Sequence, residues 1–73
     1  MTPYRGNDSG VSAYQAGTDF IIVRFKSGDR YRYDYNTPGR DHVEAMKQRA
    51  TSGHGLATYI SQHIGSNYAE KLD

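Results

Sequence analysis

The spacing of apolar side chains changes once along this chain, from every second residue to the spacing of a helix. Residues 20–26 carry apolar side chains at alternate positions, and residues 30–35 alternate between tyrosine and charged side chains. This period of two, with β-branched and aromatic residues, predicts β-strands. A weaker alternating segment covers residues 11–16. The three segments predict a three-stranded antiparallel β-meander, joined by short loops at residues 17–19 and 27–29.

The second half of the chain has the pattern of two helices. Thr37-Pro38 predicts the start of the first helix, because Thr caps helices well and Pro fits their first position. Its apolar stripe stops at Ser52-Gly53, where Gly closes a helix in the left-handed conformation. A second stripe runs from Leu56 to Ile64 and stops at Gly65. Both stripes are predicted to pack on one face of the sheet.

These elements predict an α+β fold, in which the meander is followed by two helices. The polar residues 1–10 are predicted to be a flexible N-terminal arm, and residues 11–73 a single domain. A 73-residue chain buries only a small core, so self-association is an open alternative. The chain has no cysteine and its longest apolar run is FIIV, far short of the roughly 18 residues of a membrane span. With no apolar signal segment near its start, it is predicted to be cytoplasmic, without a membrane anchor.

Alternation assigns different side chains to the two faces of the predicted hairpin. If the apolar residues share the core face, Val23 lies opposite Tyr33 and Phe25 lies opposite Tyr31, with a three-residue loop between the strands. The tyrosines of the second strand are therefore predicted to pack in the core.

The same pairing gathers four cations on the outer face, with Lys26 opposite Arg30 and Arg24 opposite Arg32. Directly opposed like charges destabilise a sheet by up to roughly 1 kcal/mol for each pair. Two such pairs favour an anion site, and the forked guanidinium group matches phosphate oxygens. Phe20 shares this face and is predicted to stack on a ligand.

Other interpretations stay open for these residues and for Arg40. The cations could form an ordinary solvated surface, partly neutralised by Asp29 and Asp34, that protects a sheet edge from aggregation. Phe20 and Ile22 could form a self-association interface, or be covered by the N-terminal arm. Arg40 follows the predicted helix start, where backbone N–H groups bind anions, although an ordinary helix cap explains the same residues.

No arrangement of residues typical of catalysis occurs in the sequence. The three histidines, His42, His54 and His63, lack the spacing of a metal-binding pair. No nucleophile turn of the form G-x-S-x-G and no G-x-x-x-x-G-K-[ST] phosphate loop is present. The sequence therefore predicts a protein that is not an enzyme and has no metal or cofactor.

Several short motifs form a set along the chain. They are I-x-V-x-F-K-S-G-x-x-Y-x-Y at residues 21–33, a helix opened by Pro, Ser52-Gly53, the run YISQHI at residues 59–64, and Tyr68. This set resembles the KTSC domain, which is named after a C-terminal appendage of some lysyl-tRNA synthetases and also occurs as small free-standing bacterial and phage proteins. The resemblance implies a small antiparallel sheet with helices. The link to a tRNA synthetase implies RNA contact by association.

The sequence thus predicts a non-catalytic binding module for a phosphate-bearing ligand, either nucleic acid or a nucleotide, on a basic face of the sheet. The predicted ligand-binding residues are Arg24, Lys26, Arg30, Arg32, Phe20 and Arg40. The alternative is a protein-interaction or homo-oligomeric module, which would cage a small nucleotide between its subunits.

Overall fold

In the computed structural model, which describes residues 1–6 and 10–72, the three predicted strands form the centre of a larger antiparallel sheet. In the order of the chain, the elements are β1 (Thr2–Pro3), β2 (Val11–Ala16), β3 (Phe20–Phe25), β4 (Arg30–Asp34), α1 (Arg40–Ser52), α2 (Leu56–Tyr59), a π-helical turn (Ile60–Ile64) and β5 (Glu70–Lys71). The strands are neighbours in the order β1-β2-β3-β4-β5.

The predicted α+β class, with an antiparallel sheet and two helices, is confirmed, but the predicted count of three strands is wrong. Within the described residues the sheet has five strands. The additional strands β1 and β5 have two residues each, and they pair through Thr2 with Tyr14 and through Glu70 with Arg32. A two-residue strand is too short to show alternation, which is why the pattern did not reveal it.

The start of the chain is part of the domain, which corrects the predicted flexible arm over residues 1–10. Tyr4 is buried, its backbone N–H donates to the carbonyl of Ser12 at 3.0 Å, and its hydroxyl accepts a hydrogen bond from the Leu56 N–H at 3.1 Å. The aromatic ring therefore ties the first strand to the start of α2. Residues 7–9 of the predicted arm lie outside the described residues.

The pairing of β3 with β4 differs from the predicted pairing by two residues. Val23 lies opposite Tyr31 and Ile21 lies opposite Tyr33. The loop has three residues, as predicted, but it is formed by residues 26–28. It is closed by hydrogen bonds from Gly28 N to Phe25 O and from Phe25 N to Asp29 O, each 2.9 Å long. A shift of two leaves the side chains within β3 and β4 on their predicted faces, because strand side chains alternate with a period of two, whereas Lys26 now falls in the loop.

The helices begin and change type at places that the sequence did not predict. α1 begins at Arg40 after Gly39, and Thr37 is not its cap. The backbone N–H groups of Asn36 and Thr37 instead donate to the Asp34 carboxylate at 3.0 and 2.9 Å, which holds the loop before the helix. The second predicted helix is α-helical over its first four residues and π-helical over the next five. Its predicted end at Gly65 is confirmed.

One core joins the sheet to both helices. Its buried side chains are Tyr4, Val11, Ile21, Val23, Tyr33, Val43, Met46, Ala50, Leu56, Ile60 and Ile64. Tyr33 is among the largest fully buried side chains, and Tyr31 and Tyr35 are half-buried against the same core. This confirms that the tyrosines of β4 face the helices. The other face of the sheet is therefore the face on which the arginines lie.

Candidate functional site

The face of the sheet opposite the helices presents the predicted cations. We call it the outer face, and it is formed in β3 and β4 by Phe20, Ile22, Arg24, Arg30, Arg32 and Asp34. Because Ile21, Val23 and Tyr33 are buried on the helix side, the residues between them must point away from the helices. The structure thus brings together Phe20 and three of the predicted cations.

Arg24 and Arg30 are directly opposed on neighbouring strands of this face. Both side chains are exposed, and together with Met1 and Gly28 they line a cleft of about 260 Å³. The sequence predicted two opposed cation pairs, Arg24 with Arg32 and Lys26 with Arg30. The shift of the pairing by two residues replaces them with this one pair and places Arg32 opposite Ile22.

Arg32 is held in place at the other end of the outer face. Its guanidinium carbon lies 4.4 Å from the centre of the Phe20 ring, and its Nε lies 3.7 Å from an oxygen of Asp34. The Phe20 ring also lies directly over Gly17, since a Cβ on Gly17 would be 2.0 Å from it. Phe20 therefore supports the guanidinium group of Arg32, and the predicted stacking of Phe20 on a ligand stays a prediction. The supported guanidinium plane can itself stack on a base.

Among residues 1–6 and 10–72, the acidic residues of the outer face lie away from Arg24. Asp34 follows Arg32 on β4, and Glu70 lies opposite Arg32 on β5. Both are therefore at the end of the face away from Arg24. Among the described residues, these acidic groups therefore leave the Arg24 end of the face as the more favourable place for an anion.

The remaining two predicted cations are placed differently. Lys26 lies in the hairpin loop, at the border between the outer face and the helix side, and lines a cleft with Arg24 on the outer face. Arg40 begins α1, and its guanidinium carbon lies 5.9 Å from the centre of the Tyr35 ring on the helix side. Arg40 is therefore not part of the outer face, and its predicted part in ligand binding stays a prediction for the start of α1.

A cavity that the sequence did not predict lies on the helix side, between the tip of the β3–β4 hairpin and the end of the π-helical turn. We call it the tyrosine cavity. It has a volume of about 540 Å³ and is lined by Gly10, Phe25, Lys26, Ser27, Asp29, Tyr31, Tyr33, Ile60, Gly65, Ser66 and Tyr68.

Aromatic rings form one wall of the tyrosine cavity. The centres of the Phe25 and Tyr31 rings are 5.6 Å apart, and those of the Tyr31 and Tyr68 rings are 4.6 Å apart. Burial raises the pKa of Tyr33 to about 12, with smaller contributions from Tyr31 and Tyr68. The Tyr33 phenol therefore stays protonated and can donate a hydrogen bond at physiological pH. Period-two alternation predicted that Tyr31 and Tyr33 pack in the core. It gave no information on Tyr68, which follows the π-helical turn in the chain and packs against Tyr31.

Two of the three histidines contact Tyr59. His42 Nδ1 lies 2.7 Å from the Tyr59 hydroxyl, and the ring centres of Tyr59 and His63 are 4.7 Å apart. The guanidinium carbon of Arg49 lies 4.3 Å from the centre of the Tyr59 ring. Among the described residues, no group of three or more His, Cys, Asp or Glu side chains is arranged to hold a metal ion. This cluster therefore joins α1 to the second helical segment.

No protein-family model, curated protein or solved structure matches this chain. The resemblance to the KTSC domain therefore stays a prediction from short motifs. In the part of the chain that the structure describes, none of the helices has both the length and the apolar character to cross a membrane.

Proposed function

We propose that this protein is a non-catalytic binding module for single-stranded nucleic acid, whose phosphates contact the outer face of the sheet. The observation that carries the proposal is the directly opposed pair Arg24 and Arg30 on a sheet face that no helix covers. The arginine fork can donate two hydrogen bonds to one phosphate, and a strand presents phosphates in a row.

The energetics of the pair support a ligand role. Like charges opposed across two strands lower stability, by up to about 1 kcal/mol in exposed positions. A bound phosphate would add an attraction to both guanidinium groups, since each can donate hydrogen bonds to its oxygens. Arg32, stacked on Phe20, adds a planar surface on which an unpaired base can lie.

Self-association through the same face is the weaker candidate. Phe20 and Ile22 are only half-exposed, and among the described residues Met1 is the one large hydrophobic side chain that is clearly exposed, at 52%. Stable interfaces between proteins usually have a more apolar centre than this face offers.

The proposal includes a cytoplasmic location, which the absence of cysteine supports.

Fluorescence anisotropy with labelled single-stranded RNA and DNA oligonucleotides tests the proposal, at low and at moderate salt. The variant is Arg24→Ala with Arg32→Ala, and the matched control is Arg40→Ala, which removes the same kind of charge from the helix side. We expect the double variant to weaken binding about tenfold or more, because hydrogen bonds to charged groups are lost. The control should bind like the wild type.

The salt dependence gives a second readout in the same titration. Contacts from three arginines predict that the logarithm of the association constant falls with the logarithm of salt concentration with a slope of about −2, since each contact contributes about −0.7 on a single strand. Undetectable binding of both oligonucleotides at low salt would overturn the proposed function. If Arg40→Ala weakens binding as much as the double variant does, the proposed function is also contradicted, because the oligonucleotide would then contact the helix side as well.

A further inference from the structure

The tyrosine cavity has the size and composition of a small-molecule site. Its volume of about 540 Å³ lies within the range of ligand pockets, which are mostly apolar and carry a few polar groups. It opens on the helix side of the sheet, so it is separate from the outer face. The wall formed by Phe25, Tyr31 and Tyr68 offers aromatic surface to a planar ring.

Tyr33 lines this space, and its hydroxyl has no hydrogen-bond partner among the described residues. Tyr33 is 1% exposed. Within residues 1–6 and 10–72, no side-chain oxygen or nitrogen that is fully enclosed lacks a partner. The Tyr33 hydroxyl is therefore not fully enclosed by protein atoms, and Tyr33 is one of the residues that line the cavity. Buried phenol groups usually have a hydrogen-bond partner, and here a ligand would supply it.

The helical segment that lines the cavity has an unusual backbone conformation. The π-helical turn of residues 60–64 ends at Gly65, whose N–H donates to the carbonyl of Ile60 at 2.7 Å and whose φ is positive at 59°. π-helical turns are rare and are frequently found at functional sites. This turn places Ile60 and Gly65 in the cavity wall.

Lys26 connects the cavity to the outer face. It lines the tyrosine cavity and also the neighbouring cleft that contains Arg24. An anionic group attached to a ring in the cavity would therefore meet Lys26 at the mouth. From there, a chain of phosphates could continue to Arg24 on the outer face.

We propose that the tyrosine cavity binds one nucleobase, which stacks on the Tyr31–Tyr68 wall and accepts a hydrogen bond from the Tyr33 hydroxyl. This inference deepens the proposed function and rests on it: phosphates contact the outer face, and a single base enters the cavity. The base can belong to a free nucleoside monophosphate or to the end of a strand.

NMR titration with the four nucleoside 5′-monophosphates, an oligonucleotide and the same oligonucleotide with abasic sites distinguishes these sources. The variant Tyr33→Phe removes one hydroxyl and keeps the ring. The control Tyr14→Phe removes the hydroxyl of a half-buried tyrosine on β2 that does not line the cavity. A second variant, Tyr68→Ala, removes part of the stacking wall at a residue that is only partly buried against the core.

We expect at least one monophosphate, or the strand, to shift the ring signals of Tyr31 and Tyr68. Tyr33→Phe should weaken that binding about threefold to tenfold, as for the loss of one neutral hydrogen bond, and Tyr14→Phe should leave it unchanged. Tyr68→Ala should weaken it about fivefold or more through lost stacking. Neither tyrosine variant at the cavity should alter binding of the abasic strand.

The two proposals fail in different ways. If strands bind but the intact and abasic forms bind equally, and Tyr33→Phe changes nothing, the cavity inference is overturned while the proposed function stands. If a monophosphate occupies the cavity but no strand binds at low salt, the cavity inference stands and the proposed function is overturned. If no probe shifts the tyrosine rings, the cavity does not bind a base.

Discussion

Arg24 lies directly opposite Arg30 on the neighbouring strand, on the face of the sheet that carries no helix. Opposed like charges lower the stability of a sheet. Removing one of them should therefore stabilise the fold but weaken ligand binding. We expect Arg24→Thr to raise the free energy of unfolding by up to about 1 kcal/mol, because the repulsion is removed and Thr suits a strand. The same variant should weaken binding of single-stranded oligonucleotides.

Urea unfolding together with fluorescence anisotropy measures both effects on the same samples. Arg24→Lys is the matched control, because it keeps the charge but not the forked donor group, and it should bind more tightly than Arg24→Thr. A variant Arg24→Thr that is less stable than the wild type, or that binds equally well, would show that the opposed pair has no such role.

Gly28 fixes the pairing of β3 with β4 through its backbone conformation. Its φ is 99°, and a Cβ placed there would meet nothing within 4 Å, so the cost of a substitution comes from the backbone alone. We expect Gly28→Ala to lower the free energy of unfolding by about 1 kcal/mol, and Gly28→Asn to lower it less, since Asn tolerates positive φ better. Gly10→Ala is the control, because Gly10 has open space and no positive φ. Equal stability of the Ala variants at both positions would contradict this explanation of the hairpin.

Tyr4 joins the start of the chain to α2 through its hydroxyl. Tyr4→Phe leaves the Leu56 N–H without its acceptor in a buried site. We expect the free energy of unfolding to fall by about 1–2 kcal/mol, which is the usual effect of stranding a buried donor. Chemical denaturation measures this, with Tyr14→Phe as the comparison. If both variants unfold at the same denaturant concentration, the first strand is not held by this contact.

Burial of Tyr33 predicts a loss of stability in alkali. Its pKa is raised from 10.0 to about 12 in the folded protein. Between these pH values the phenol ionises in the unfolded chain but not in the folded one, so stability is complete below pH 10 and falls as the pH rises towards 12. We expect Tyr33→Phe to lose less stability over this interval than the wild type. If the free energy of unfolding of the wild type and of Tyr33→Phe falls equally over this interval, the ionisation of Tyr33 is not the cause of the loss.

The sequence predicted the faces of the sheet correctly but not the alignment of its strands. Alternation decides which side chains share a face, and this held for Tyr33 in the core and Arg24 outside it. The alignment depends on the turn, and a three-residue loop often ends in a residue with a left-handed backbone. Placing Gly28 at that third position gives the observed pairing, so the information was present in the loop and not in the strands.

Other parts of the fold gave no local signal. β1 and β5 are too short for a periodic pattern, and Tyr4 is a lone aromatic residue in a polar segment. The tyrosine cavity depends on Tyr68 approaching Tyr31, which follows from the path of the chain after the π-helical turn. Contacts of this kind arise from tertiary packing, and the spacing of residues along the sequence does not encode them directly.

The most direct test of the central claim observes the arginine side chains themselves. NMR spectra of the Nε–H groups report on Arg24, Arg30 and Arg32 of the outer face, and on Arg40 and Arg49 of α1 as controls within the same molecule. During titration with a single-stranded oligonucleotide at low salt, we predict that the signals of the three outer-face arginines shift and saturate together, while those of Arg40 and Arg49 stay in place. Shifts confined to the arginines of α1, or unchanged signals for all five, would contradict the account.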